Sequence, residues 1–159
     1  PVGAHESGLI GENPTGKPNN VMPHLAEVAS GKVKKFQIFG NDYQTPDGTG
    51  IRDYIHVVDL ARGHIAALKY LDSENYLESL SVNLGVGSGA SVVELHNQYQ
   101  KVVGKKIPFV FCDRREGDLD ACYSDVSLAK EILNWKAEFN LEKMCLDSWN
   151  WILNNQNRE

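Results

Sequence analysis

Arginines and short amide side chains carry most of the chemistry this sequence can do. Arg52 follows the string GNDYQTPDGTG at 40–50, where Asn41-Asp42, Pro46-Asp47-Gly48 and Gly50 are turn formers. A second pair, Arg114-Arg115, stands in RREGD at 114–118. A guanidinium offers a planar fork of donors, and two of them arriving from separate loops can grip a diphosphate from two sides. Asp118 is then placed to accept hydrogen bonds from ribose hydroxyls. Taken alone, adjacent loop arginines are solvated, and Glu116 and Asp118 would pair with them at the surface to little effect. Pro18-Asn19-Asn20 precedes a helix, so its amides and the free N–H groups behind them can meet an anion. Plain N-capping would use only one of the two asparagines.

A glycine cluster competes for the same kind of ligand. Gly85-Val-Gly87-Ser-Gly89-Ala90 fits G-x-G-x-x-A, with Asp113 as a downstream acid, and so has the form of a dinucleotide site. Ser91-Val-Val-Glu94 argues otherwise. It is a capping box, in which the helix fills its own N–H donors and Glu94 puts negative charge where a pyrophosphate would sit. The turn is therefore expected to be structural.

The elements that must position these groups alternate between strand and helix. Asn19-Asn20 open a helix from about Val21 to Ser30, with Pro23 in its first turn and Gly31 ending it. A strand is expected at 36–39, with one buried face, then a strand at Tyr54–Val58 leading into a helix N-capped by Asp59. Leu60, His64, Ile65, Leu68 and Leu71 recur there at helical spacing. A polar connector follows at 73–78, then a strand at 81–85 and a helix from Ser91 to about Val103. Val92, Leu95, Tyr99 and Val102-Val103 form its apolar side. A strand at 107–111, with Pro108 marking an edge or an entry, precedes the loop DRREGDLDACYSD. Helices at about 126–133 and 141–153 close the chain, the last with Leu141, Met144, Cys145, Ser148, Trp149 and Ile152 on one core-facing stripe. The fold class is α/β.

Composition narrows the partners. A chain of 159 residues suits a single domain, and 42% hydrophobic with 23% charged residues is the balance of a soluble globular protein. Net charge is −5 with no long basic run, which points away from nucleic acid and acidic membranes. No apolar run approaches membrane-spanning length. Cys112, Cys122 and Cys145 lack metal or redox spacing, and no HxH or HExxH pattern occurs, so no metal site and a reducing cytoplasm are expected. The chain opens on PVGAHESG without an initiator Met, which reads as the exit from a strand lying upstream. A piece of a longer protein is expected.

Several strings together resemble one family. They are PVGAH at 1–5, KPNNVMP at 17–23, IFGNDY at 38–43, DGTGIRDYIHVVDLA at 47–61, RREGD at 114–118 and Leu133-Asn134-Trp135. Their order and spacing, over nearly the whole chain, are similar to the C-terminal half of UDP-galactose (UDP-glucose) 4-epimerases, in the extended short-chain dehydrogenase/reductase superfamily. Departures are Val21, where Leu is usual, and Cys122, where bacterial members often have Tyr. The Asn that members carry before PVGAH lies beyond the start of this chain.

The resemblance implies a division of labour. An N-terminal half, absent from these residues, binds NAD and carries the Ser and Tyr-x-x-x-Lys that run the chemistry. Its Tyr takes the C4 hydroxyl proton while NAD takes the C4 hydride, the 4-keto sugar rotates, and hydride returns to the other face. Residues 1–159 correspond to the UDP-sugar-binding portion, whose strands near 54–58 and 81–85 are expected to complete a Rossmann sheet begun upstream. The resemblance places Asn19, Asn20 and Val21 on the diphosphate and sugar side, and gives the uracil to the Gln37-Ile38-Phe39 backbone. It gives the phosphates to Arg52 and Arg115 and the ribose to Asp118, with Glu116 and Gly117 in the same loop. Cys122 falls against the sugar, where a residue smaller than Tyr makes room for N-acetyl groups. His5 and Tyr54 receive no role. No catalytic residue is expected in this chain. Implied partners are UDP-glucose and UDP-galactose, with UDP-GlcNAc and UDP-GalNAc admitted by Cys122, and a homodimeric parent. Alternatives are another NAD-dependent nucleotide-sugar enzyme, a dehydratase or decarboxylase, and a non-catalytic nucleotide-sugar-binding module.

Overall fold

The computed structural model describes residues 1–14, 16, 18–73 and 79–156. Lys17 of the KPNNVMP string and residues 74–78 of the expected connector lie outside them. Ten elements follow in order: α1 (Val21–Ala29), β1 (Phe36–Phe39), β2 (Ile51–Arg52), α2 (Val57–Leu71), β3 (Ala90–Ser91), α3 (Val92–Val103), β4 (Phe109–Cys112), β5 (Ala121–Cys122), α4 (Ser127–Leu133) and α5 (Leu141–Gln156). β1 and β4 pair in parallel, Phe36 opposite Phe109. β2 lies between β3, antiparallel to it, and β5, parallel to it.

The main core gathers where α1, α3 and α5 close over β1. Alternation along the strand sends Phe36 and Ile38 into it, beside Leu25, Leu95, Tyr99, Met144 and Cys145. The helix boundaries follow from their end groups. At the end of α1 the Gly31 N–H donates to Val28 O (3.1 Å) and the Lys32 N–H to Glu27 O (2.9 Å), the paired bonds of a glycine-terminated helix. α3 starts on the expected capping box: Ser91 Oγ accepts from the Glu94 N–H at 2.9 Å, and the Ser91 N–H donates to the Glu94 carboxylate at 2.7 Å. Ser91 Oγ also donates to Asp47. Ser91→Ala is expected to destabilise the protein by about 0.5–2 kcal/mol, read from the denaturant midpoint, with no change in affinity for a ligand of the arginine loops.

Two expected strands are not strands. At 54–58 the chain instead makes one parallel bridge, Val2 to His56, and turns at once into α2. His56 is the N-cap rather than Asp59, its Nδ1 accepting from the Val58 N–H at 3.0 Å. Asp59 sits in the first turn, buried, where its carboxylate accepts from the Glu138 and Phe139 N–H groups, each at 2.9 Å. Residues 81–85 have no ladder partner among the described residues, although Val82 and Leu84 pack on a second apolar cluster around Ile55, Ala129 and Trp135. An apolar pattern reports burial, and a strand also needs a neighbour. The helical spacing read along α2 is present, but Ile65, Leu68 and Leu71 on that stripe are exposed. β4 begins at Phe109, two residues later than expected, and the Pro108 carbonyl before it accepts from the Phe36 N–H.

Candidate functional site

A cleft of about 440 Å³ opens between the start of α1, one edge of β1, β2 and the loop before β5. Each wall has a local cause. In the β1–β4 ladder the Phe36 and Gly40 N–H groups donate to β4-side carbonyls, at Pro108 and Cys112. Even-numbered residues of β1 therefore turn their backbone groups to β4, and Gln37 and Phe39 turn theirs to the opposite edge, facing the cleft. α1 begins without a side-chain cap, because Asn20 donates its Nδ2 to the Glu12 carboxylate at 2.8 Å. The leading N–H groups of that helix are left for an anion.

The two arginines meet across one carboxylate. Arg52 Nη2 is 3.3 Å from Asp118 Oδ1, and Arg115 Nε donates to Asp118 Oδ2 at 2.9 Å. Arg52 Nη1 also donates to the Ile51 and Leu119 carbonyls, at 2.8 and 2.9 Å, which anchors its fork at the cleft wall. Arg115 lies 5.2 Å over the Phe39 ring. Two guanidinium charges against one carboxylate leave a net positive centre that an anion can satisfy. Tyr54 adds a neutral donor. Burial pushes its hydroxyl up to about 12, against the pull of Arg52 and Arg115, so it keeps its proton at neutral pH.

Asn19, Asn20, Val21, Gln37, Phe39, Arg52, Arg115 and Asp118 all line this cleft. Ile38 does not: its side chain is buried in the core and its backbone faces β4, so of the expected Gln37-Ile38-Phe39 edge only Gln37 and Phe39 face the cleft. Glu116, Gly117 and Cys122 are outside the cleft wall as well. Cys122 is exposed on β5, in register with Arg52. The second loop arginine, Arg114, is used structurally. It binds Asp42 through Nε at 2.7 Å and through the main-chain carbonyl at 2.6 Å, and it stacks 4.1 Å over Tyr43.

Sequence reasoning missed His24, Tyr43, Gly50, Tyr54 and Val92, which line the cleft too. Two of these were within reach. Tyr54 lies two residues beyond Arg52, and His24 lies one helical turn beyond Asn20, each on the same face as a residue already chosen.

The glycine turn serves the protein's own carboxylate. Asp53 accepts from the N–H groups of Val86 (2.8 Å), Gly87 (3.2 Å) and Ser124 (3.1 Å). Gly87 has φ +78°, and a Cβ on Gly85 would collide with the Asp53 carboxylate and Ser124 Oγ. The donors a pyrophosphate would need there are already taken.

Residues 3–148 match the family model described as GDP-mannose 4,6 dehydratase. The chain belongs to that family. Within the GDP-mannose 4,6 dehydratase family it is similar to the UDP-glucose 4-epimerase of Bacillus subtilis (strain 168), with 53% identity over 158 residues, 99% of this chain and 46% of that protein. Among solved structures it is similar to the UDP-glucose 4-epimerase of Bifidobacterium longum in complex with NAD+ and UDP. That likeness has a TM-score of 0.92 at 51% identity, covering 98% of this chain and 46% of the other. A Stenotrophomonas maltophila UDP-glucose-4-epimerase with bound NAD and formylated UDP-arabinopyranose gives a TM-score of 0.95 at 46% identity, over 99% of this chain and 46% of the other. The chain thus spans about half the length of the curated relatives it matches, and its fold is the expected α/β fold of the extended short-chain dehydrogenase/reductases. Among the described residues no helix is long and apolar enough to cross a membrane.

Proposed function

We propose that these residues form the substrate-binding portion of a UDP-glucose/UDP-galactose 4-epimerase, acting in the cytoplasm on galactose-containing nucleotide sugars. The observation that carries this reading is the convergence of Arg52 and Arg115, from two separate loops, on Asp118 in one cleft. In the proposed complex the two guanidinium groups and the start of α1 hold the diphosphate. Asp118, already ordered by both arginines, takes the ribose hydroxyls. The Gln37 carbonyl and the Phe39 N–H offer an acceptor and a donor to the uracil edge.

NAD would supply hydride chemistry at C4, which needs an acid–base Tyr and its Lys. No Tyr in this chain has Lys four positions on, so that pair belongs to another part of the full-length protein in this reading. The exposed stripe of α2 and the unladdered segment at 81–85 are where that part would pack and extend a sheet. The likeness near 50% identity to epimerases favours this reading over a dehydratase or decarboxylase.

Sugar range is proposed to depend on Cys122, which is in register with Arg52 and small. The full-length enzyme should accept UDP-GlcNAc and UDP-GalNAc besides the plain hexoses. Cys122→Tyr should block the N-acetyl pair, because a ring on this exposed position beside Arg52 would take the room an acetyl group needs at the sugar end of the ligand, and leave UDP-galactose nearly unaffected. The experiment is kcat/KM with NAD present for both sugar pairs, before and after substitution. Absence of turnover of UDP-galactose by the folded full-length enzyme would overturn the epimerase reading, and an unchanged ratio would overturn the role of Cys122 alone.

A further inference from the structure

The cleft contains an imidazole that the proposed function leaves unused. His24, on the first turns of α1, lines the cleft with its side chain only 15% exposed, and its ring packs 5.4 Å from that of Phe36. Its Nε2 lies 3.4 Å from the Gln37 backbone nitrogen, within hydrogen-bond geometry. A backbone N–H can only donate, so Nε2 is the acceptor and the ring proton of neutral His24 is on Nδ1. That nitrogen is 3.7 Å from the Glu27 carboxylate.

We infer that His24 is a positioning residue for the nucleotide: in its neutral form it holds the β1 edge that meets the base, and on protonation it lets that edge go. This rests on the uridine diphosphate reading above. The Gln37 N–H, Gln37 carbonyl and Phe39 N–H follow one another along the open edge. His24 occupies the first and anchors the residue that presents the second. A second ring proton would land on Nε2, pointing at an N–H, and would replace an attraction by a donor–donor repulsion. The ring must then turn away, and the reading edge loses its anchor.

Charged and titratable groups face His24 from two sides. On its own helix it faces the Glu27 carboxylate, and from β1 the apolar Phe36, with His96 stacked behind that ring at 6.0 Å. Across the cleft stand Arg52 and Arg115, with Asp118 between them and Tyr43 and Tyr54 beside them. The diphosphate is held at the arginine end, so a charge at the edge end does not replace the lost anchor. Affinity should fall when the ring takes up its second proton.

The probe is UDP-glucose, whose diphosphate is esterified at both ends and does not titrate in this range. It is titrated against the full-length protein at about pH 7.5 and about pH 5.5, with folding checked by circular dichroism at each. Wild type should bind about three- to tenfold more weakly at the lower pH, the loss of one ordinary hydrogen bond. His24→Gln carries an amide oxygen that accepts from the Gln37 N–H at any pH. It should bind like wild type at the higher pH and show no decline. His24→Phe should bind at both values as wild type does in acid. A flat or rising wild-type affinity on acidification, or the same decline in His24→Gln, overturns the inference. Folded wild type that does not bind UDP-glucose even at the higher pH overturns the nucleotide reading itself.

Discussion

Asp147→Ala is expected to destabilise the protein by about 1–3 kcal/mol, because it leaves the buried His56 Nε2–H without an acceptor and Lys143 without its carboxylate. Asp147 and His56 are both fully buried, with His56 Nε2 donating to Asp147 Oδ2 at 3.1 Å. The other carboxylate oxygen accepts from Lys143 at 2.9 Å, and Phe139 packs 4.6 Å from the imidazole. His56 Nδ1 accepts from the Val58 N–H, so its proton is fixed on Nε2, aimed at Asp147. One carboxylate thus ties α5 to the N-cap of α2. Asp147→Asn should cost less than Asp147→Ala, since its amide oxygen still receives the His56 proton. Urea midpoints with unchanged slopes measure both. A loss below about 1 kcal/mol for the alanine variant would mean the cluster contributes no net stability.

The same cluster fixes a pH dependence. Burial lowers the His56 pKa, opposed by the hydrogen bond and charge of Asp147. Below about 6.5 the unfolded chain therefore binds a proton that the folded one resists, and stability rises with pH across that window. The contribution is complete above about 6.5 and is lost as pH falls toward the lower folded value. Lys143 has the opposite sense. The Asp147 hydrogen bond raises its pKa, so its contribution holds in neutral solution and is lost only in strong alkali. Stability that grew on mild acidification would contradict the assignment.

Arg52→Ala should weaken UDP binding about ten- to a hundredfold, the loss of roughly 1.5–3 kcal/mol of charge-assisted hydrogen bonding. Arg115→Ala should act in the same direction but less strongly, since its side chain is 57% exposed against 29% for Arg52 and its charge is better screened. Arg52 also bonds the Leu119 carbonyl, so each variant needs a denaturation curve beside its titration. Arg52→Lys keeps the charge and loses the fork, and should recover only part of the affinity.

Much of this site was legible because its residues announce themselves locally. Ser91 and Glu94 make a capping box in any context, the stripe on α5 repeats over about three turns, and Arg52, Arg115 and Asp118 are chemically conspicuous in turn-rich loops. What was not legible depends on partners far away in sequence. β2, β3 and β5 are two-residue strands, too short to show a period, and β5 sits inside what reads as loop. Nothing around Asp53 reveals that Val86, Gly87 and Ser124 wrap it. The stripe on α2 was correct in spacing, but its exposed Leu68 shows that a pattern names a face without naming what covers it. The spacing of Cys122 from Asp118 gives no sign that the intervening turn sets it on β5 in register with Arg52, beside the cleft wall and not in it.

The most direct test of the cleft is a crystal structure of the full-length protein with UDP. The account predicts the diphosphate within hydrogen-bond distance of Arg52 and Arg115, with the uracil paired to the Gln37 carbonyl and the Phe39 N–H. UDP bound with its phosphates on the glycine turn at 85–89, or anywhere that leaves both arginines without contact, would contradict it.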